Sequence, residues 1–256
     1  MCFDLDSRPP IPPISGGALD AGRIALRSAD GTEFAAFRAR AAEPTGAGMI
    51  VLPDVRGLHP YYEELALRFA EHGIDAVAVD YFGRTAGLGV RDEDFDFMAH
   101  VGRTTWDGLS ADVRAAAAYL RSPDGGDVSS LFTVGFCFGG RLSFDCATIG
   151  LGTAGVIGFY GWPTGPGRND VPAPADVVRQ MSGGVLAIFG GADQGIPASA
   201  VAEFERALAG AGVDHTVTTY PGAPHSFFDR KAELFASQSE GAWTQVLDFV
   251  AAHAAG

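Results

Sequence analysis

Short apolar runs alternate along this chain with longer stretches whose apolar positions recur at helical spacing. Ala76-Val77-Ala78-Val79, Leu131-Phe132-Thr133-Val134 and Val185-Leu186-Ala187-Ile188-Phe189 are runs of the first kind, and each predicts a buried strand. Further strands are expected near 23–28, 34–40, 48–53 and 154–160, with an alternating one at 215–220. Between them, Tyr62, Leu65, Leu67, Phe69 and Ala70 give a helix over about 60–72 its apolar face, and Gly73 suits its stop. An alanine-rich helix is expected over 105–121, ended by Ser122-Pro123, with others near 198–211 and 239–253. Strands that alternate with helices predict a doubly wound α/β fold, its mostly parallel sheet covered on both faces. Residues 1–20, with Pro9-Pro10-Ile11-Pro12-Pro13, read as a proline-rich arm, and 21–256 as one domain without repeat or linker. Residues 82–104 form a Gly-rich, charged excursion with no predicted element, and its length marks it as functional or mobile. Residues 161–175 form a loop placed to edge a pocket.

The chemistry concentrates at Gly135-Phe136-Cys137-Phe138-Gly139-Gly140, between an apolar strand and a sequence that can continue as a helix. A sharp strand-to-helix turn with glycines around one reactive residue is a nucleophile elbow, here with cysteine where serine is usual. Close glycines let the backbones pass, and the helix N-terminus lowers a thiol pKa. The N–H of Phe138, the residue after the nucleophile, is one expected oxyanion donor. The same glycines fit neither a dinucleotide fingerprint nor a Walker loop, and a buried core cysteine is the bland alternative.

Partners follow downstream. Asp193 lies in Gly190-Gly191-Ala192-Asp193-Gln194-Gly195, just past the apolar strand at 185–189, and His225 lies in the loop after the strand at 215–220. Alone, the first reads as a loop or capping aspartate and the second as a surface histidine. Nucleophile, acid and histidine in that chain order, each after a strand, point to a Cys137-His225-Asp193 triad on the carboxyl edge of the sheet.

With these motifs in register the chain resembles the dienelactone hydrolases, a cysteine-using branch of the α/β-hydrolase fold, from about Ile24 to the C-terminus. Leu52-Pro53-Asp54-Val55-Arg56-Gly57, Asp80-Tyr81-Phe82-Gly83-Arg84 and His225-Ser226-Phe227 also carry the resemblance. It implies that the N–H of Val55 is the second oxyanion donor. It implies further that a thioester forms on Cys137 and is hydrolysed by water. Asp54 stands where the family has a glutamate that holds the resting thiol, and a capping role for it is equally open. The resemblance also implies a carboxylate clamp, with Arg84 at its first position. Arg230 lies one residue beyond the second. A solvated or ion-paired Arg84 is the alternative. Phe82, Tyr160 and Trp162 are candidates to line an apolar pocket, although aromatics at strand ends are as often core.

Composition narrows the class. The 256 residues are 47% hydrophobic and carry a net charge of −13. An acidic chain without a basic cluster argues against nucleic acid or an anionic membrane as partner. No apolar run is long enough to span a bilayer, and no signal peptide opens the chain. Cys2, Cys137 and Cys146 are therefore expected as reduced thiols in the cytoplasm. No metal-ligand spacing occurs, so neither metal nor cofactor is expected. The expected partner is a small-molecule ester or lactone, acted on by a monomer or small homo-oligomer. Three rivals stand beside this: the same triad acting on thioesters or phosphotriesters, a non-catalytic hydrolase-like binding protein, and a redox protein using Cys137. The last lacks an adjacent resolving cysteine.

Overall fold

Apolar runs become central strands wherever both faces of the sheet are covered. The computed structural model describes residues 7–92, 94–228 and 233–254. In chain order its elements are β1 (Ala18–Arg27), β2 (Glu33–Ala41), β3 (Ala47–Leu52), α1 (Pro60–Glu71), β4 (Asp75–Val79), the short α2 (Gly83–Ala86) and α3 (Phe97–Val101), and α4 (Trp106–Leu120). Then come β5 (Ser130–Phe136), α5 (Phe138–Cys146), β6 (Thr153–Phe159), α6 (Pro174–Val177), β7 (Gly184–Gly190), α7 (Ala198–Ala211), β8 (His215–Tyr220) and α8 (Ala236–His253). One eight-stranded sheet runs in the order β1-β2-β4-β3-β5-β6-β7-β8. The β1–β2 and β2–β4 pairings are antiparallel; from β4 to β8 the strands are parallel. Every residue of β3, β4, β5 and β7 is buried.

The strand order fixes where chemistry can sit. From β3 the chain moves outward to β4, then returns to place β5 on the other side of β3. That reversal opens a crevice beyond the carboxyl ends of β3 and β5, the usual ligand site of open α/β sheets. The loop Pro53-Asp54-Val55 leaves β3 there, and Cys137 directly follows β5 there.

Two segments differ from the sequence expectation. The first strand begins at Ala18 rather than near residue 23, inside what reads from sequence as the proline-rich arm. It is an edge strand with mostly exposed or half-covered residues, so its polar positions hide it from an apolar-run search. The excursion after β4 is ordered by a charge rather than by a periodic apolar face. Arg91, buried within it, pairs with Asp80 at 2.8 Å and lies over the Phe95 ring at 4.6 Å. Asp80 in turn accepts the backbone N–H groups of Leu58 and Phe82, at 3.1 and 3.0 Å. This node ties the end of β4 to the loop that follows β3.

Candidate active site

The elbow is built from strain and missing side chains. Cys137 has φ 56° and ψ −112°, a left-handed conformation that a non-glycine residue holds only at a cost of about 1–3 kcal/mol. Its N–H donates to the Phe159 carbonyl at 3.0 Å, and its own carbonyl accepts from Gly140 N at 3.1 Å as α5 begins. A Cβ on Gly135 would sit 1.8 Å from the Gly139 carbonyl oxygen, and one on Gly139 would sit 2.1 Å from that of Leu52 and 2.2 Å from that of Pro53. The first turn of α5 therefore lies directly against the loop leaving β3. Phe138, the first residue of α5, stands at this junction, in the turn that packs against the loop carrying Val55.

Tyr81 fixes that loop from below. Its hydroxyl donates to the Pro53 carbonyl at 2.6 Å, and its ring meets Phe138 edge-on at 5.4 Å. Burial, then the nearby Asp54, Cys146, Asp80 and Cys137, hold the phenol well above its ordinary pKa, so it remains a donor. Asp54 is fully buried, and its Oδ1 accepts the Arg56 N–H at 2.9 Å. This turn-capping bond is one of the two roles the sequence leaves open. His59, on the same loop, is pushed down to about 4, first by burial and then by Arg56, so it stays neutral.

Acid and base meet across two loops. The Asp193 loop and the His225 loop are joined by a bond from Ala192 N to the Ala223 carbonyl at 2.9 Å. Across this joint His225 Nδ1 lies 2.7 Å from Asp193 Oδ2. The other carboxylate oxygen of Asp193 accepts from the N–H groups of Gly195 and Ile196, at 2.8 and 3.3 Å. Burial alone would raise this carboxyl, but the His225 and backbone hydrogen bonds outweigh it and hold its pKa below the usual value. The carboxylate thus takes Nδ1, and Nε2 is the ring nitrogen that does not face it. Two aromatic rings press on the imidazole, Tyr160 at 4.8 Å and Trp162 at 4.9 Å between centroids. Tyr160 is fully buried and directly follows Phe159, whose carbonyl receives the Cys137 N–H. It links the elbow to the base.

Other expected site residues are placed differently. Arg84 is turned into the fold. Its guanidinium pairs with Asp112 at 2.8 Å and with Asp30, and donates to Thr32 Oγ1 at 2.9 Å. Those partners lie on α4 and on the β1–β2 turn, so the arginine braces the fold, as in the ion-paired alternative to a carboxylate clamp. Both terminal nitrogens of the fork are occupied by protein acceptors. Phe82 is fully buried under the excursion, between Tyr81, Phe95 and His100, and packs there. Trp162 is 37% exposed. Arg230 lies outside the described residues. Sequence reasoning missed Tyr81, Asp80 and Arg91. The first two stand in the motif Asp80-Tyr81-Phe82-Gly83-Arg84, where the arginine draws the eye as the charged residue open to a ligand. Among the described residues no group of three or more His, Cys, Asp or Glu is arranged to hold a metal ion, and no helix is long and apolar enough to cross a membrane.

A mostly parallel sheet with a cysteine elbow at its switch point, and an Asp–His pair in the loops after β7 and β8, defines an α/β-hydrolase. The sequence profile of the dienelactone hydrolase family matches residues 34–254, and the chain belongs to that family. It is a hydrolase acting on esters or lactones. Among curated relatives, a protein of Methylorubrum extorquens provisionally named a carboxymethylenebutenolidase is 27% identical, over 90% of this chain and 80% of its own. One of the same name from Escherichia coli K12 is 27% identical, over 91% and 87%. A solved structure from Klebsiella pneumoniae, provisionally described as a dienelactone hydrolase, has 26% identity and a TM-score of 0.77, covering 90% of this chain and 99% of that one. A dienelactone hydrolase-like promiscuous phosphotriesterase from metagenomic libraries shares the fold at 20% identity and a TM-score of 0.71, covering 92% and 99%.

Proposed function

We propose that the chain cleaves carboxylic esters or lactones through a Cys137-His225-Asp193 triad and a thioester intermediate. The observation that carries this is the Asp193–His225 pair at 2.7 Å on the sheet edge where a strained Cys137 directly follows β5. The Cys137 sulfur bonds to the acyl carbon, and the N–H groups of Phe138 and Val55 receive the growing negative charge on the carbonyl oxygen. Each such donor is worth about 3–4 kcal/mol. His225 Nε2 takes the thiol proton and returns it to the leaving alkoxide as the C–O bond breaks. Water, deprotonated by His225, then attacks the thioester, and the acid product leaves with Cys137 restored. Asp193 holds the imidazole in the required tautomer. Asp54 keeps the β3 loop in its turn. Trp162 walls the acyl site beside the base, with Tyr160 buried behind the imidazole; the reaction takes place in the cytoplasm, and a free carboxylate on the substrate is not required by Arg84.

The test is turnover of p-nitrophenyl acetate and of a carboxylate-bearing lactone, before and after iodoacetamide, in wild type and in Cys137→Ala. Loss of both activities on alkylation, and their absence in a folded Cys137→Ala protein, is the expected result. Wild-type turnover in the alanine variant would remove Cys137 from the mechanism.

A further inference from the structure

The indole of Trp162 is engaged on two sides. Its ring lies against the His225 imidazole, centroids 4.9 Å apart and planes inclined by 42°. Its Nε1–H donates to the Gly195 carbonyl at 3.1 Å. Gly195 is the residue whose own N–H donates to Asp193 Oδ1 at 2.8 Å. A Cβ on Gly195 would lie 2.9 Å from the indole Cζ2, so the tryptophan and the acid loop fit against one another. The Trp162 carbonyl is in turn within 3.5 Å of Arg141 Nη1, on the helix that starts at the nucleophile. One residue thus touches the base, braces the loop of the acid and is anchored to the helix of the nucleophile.

Its exposure separates it from the core. Tyr160, the other ring on His225, is fully buried, whereas Trp162 remains 37% exposed. A tryptophan that merely filled the interior would be covered. One that merely lined a pocket would have no reason to bond the acid loop.

We propose that Trp162 is a positioning residue for the base, holding the His225 imidazole toward Cys137 and stabilising it while it carries the proton. The inference rests on the triad given under Proposed function. The imidazole becomes a cation twice per turnover, once when it takes the thiol proton and once when it takes a proton from water. A cation against an aromatic face is stabilised, and most strongly where water is excluded. The tether to Gly195 makes this support move with Asp193, so that acid, base and indole act as one unit.

The experiment compares Trp162→Ala and Trp162→Phe with wild type and with His225→Ala, after thermal melts show which variants fold. For p-nitrophenyl acetate, Trp162→Ala should lower kcat about tenfold and change KM less than about threefold, because the lost interaction is made when the imidazole is charged. Trp162→Phe keeps a ring without the tether and should recover part of kcat, the remainder being the share of the bond to Gly195. Alkylation of Cys137 by iodoacetamide at neutral pH should slow in the alanine variant, as the thiolate loses a stabilised counter-ion. A raised KM with unchanged kcat and unchanged alkylation would make Trp162 a substrate wall only and overturn the proposal. Wild-type turnover in His225→Ala would instead overturn the triad itself, whatever the tryptophan variants do.

Discussion

Asp145 is a carboxylic acid on α5 with no exposed surface and with neither side-chain oxygen hydrogen-bonded among the described residues. Burial raises its pKa to about 8, against a smaller opposing pull from Arg141. The folded protein therefore keeps the proton in a pH range where the unfolded chain has released it. The contribution of this group to stability should be complete below about pH 4 and fall as pH rises towards 8, because each pKa unit of such a difference is worth about 1.4 kcal/mol. Asp145→Asn removes the charge and keeps the shape. It should unfold at higher urea than wild type at pH 8–9, and the advantage should shrink towards pH 4. A variant no more stable at pH 9 would mean that the carboxylate finds solvent on local opening. Cys146, the next residue, is also held neutral by burial, which pushes its thiol up. Of the two described cysteines, Cys146 has no exposed surface, whereas Cys137 keeps 7% of its own, in the strained turn.

At the scale of elements, the site depends on how closely α5 approaches the end of β3. Gly139→Ala would place a methyl carbon 2.1 Å from the Leu52 carbonyl oxygen, so the helix or the loop must shift. The expected result is a loss of roughly 2 kcal/mol or more in stability and a much larger fall in kcat than in substrate affinity. Retained wild-type kcat would count against the oxyanion role proposed for the Phe138 and Val55 amides. This junction is legible in the sequence: the glycine spacing, the apolar run ahead of it and the order of cysteine, aspartate and histidine each reflect a local requirement of backbone geometry. Elements held by non-local pairs are not legible there. The excursion is fixed by Arg91 on Asp80 and on aromatic rings, and neither partner announces itself by periodicity. The role of Arg84 is hidden for the same reason. Its position after β4 is local information, whereas its acids Asp30 and Asp112 come from a distant turn and a distant helix.

Across the whole molecule, that arginine joins the antiparallel hairpin to α4. Arg84→Lys replaces a planar fork by a point charge that cannot serve both acids and Thr32 together. A stability loss of about 2 kcal/mol is expected, read from thermal or urea melts. KM should change alike for neutral and carboxylate-bearing esters; a rise confined to the charged ones would return the residue to substrate recognition. The site borders are joined at the same scale. Asn169 Nδ2 donates to Thr104 Oγ1 at 2.8 Å and Trp106 N donates to Asp170 at 2.7 Å, so the excursion and the loop after β6 form one continuous rim. The backbone of Cys137 holds a conformation that glycine would adopt freely. Its strain is therefore separable from the chemistry proposed for its sulfur: Cys137→Gly should relax the turn and leave the protein at least as resistant to urea as wild type, while the thiol is gone.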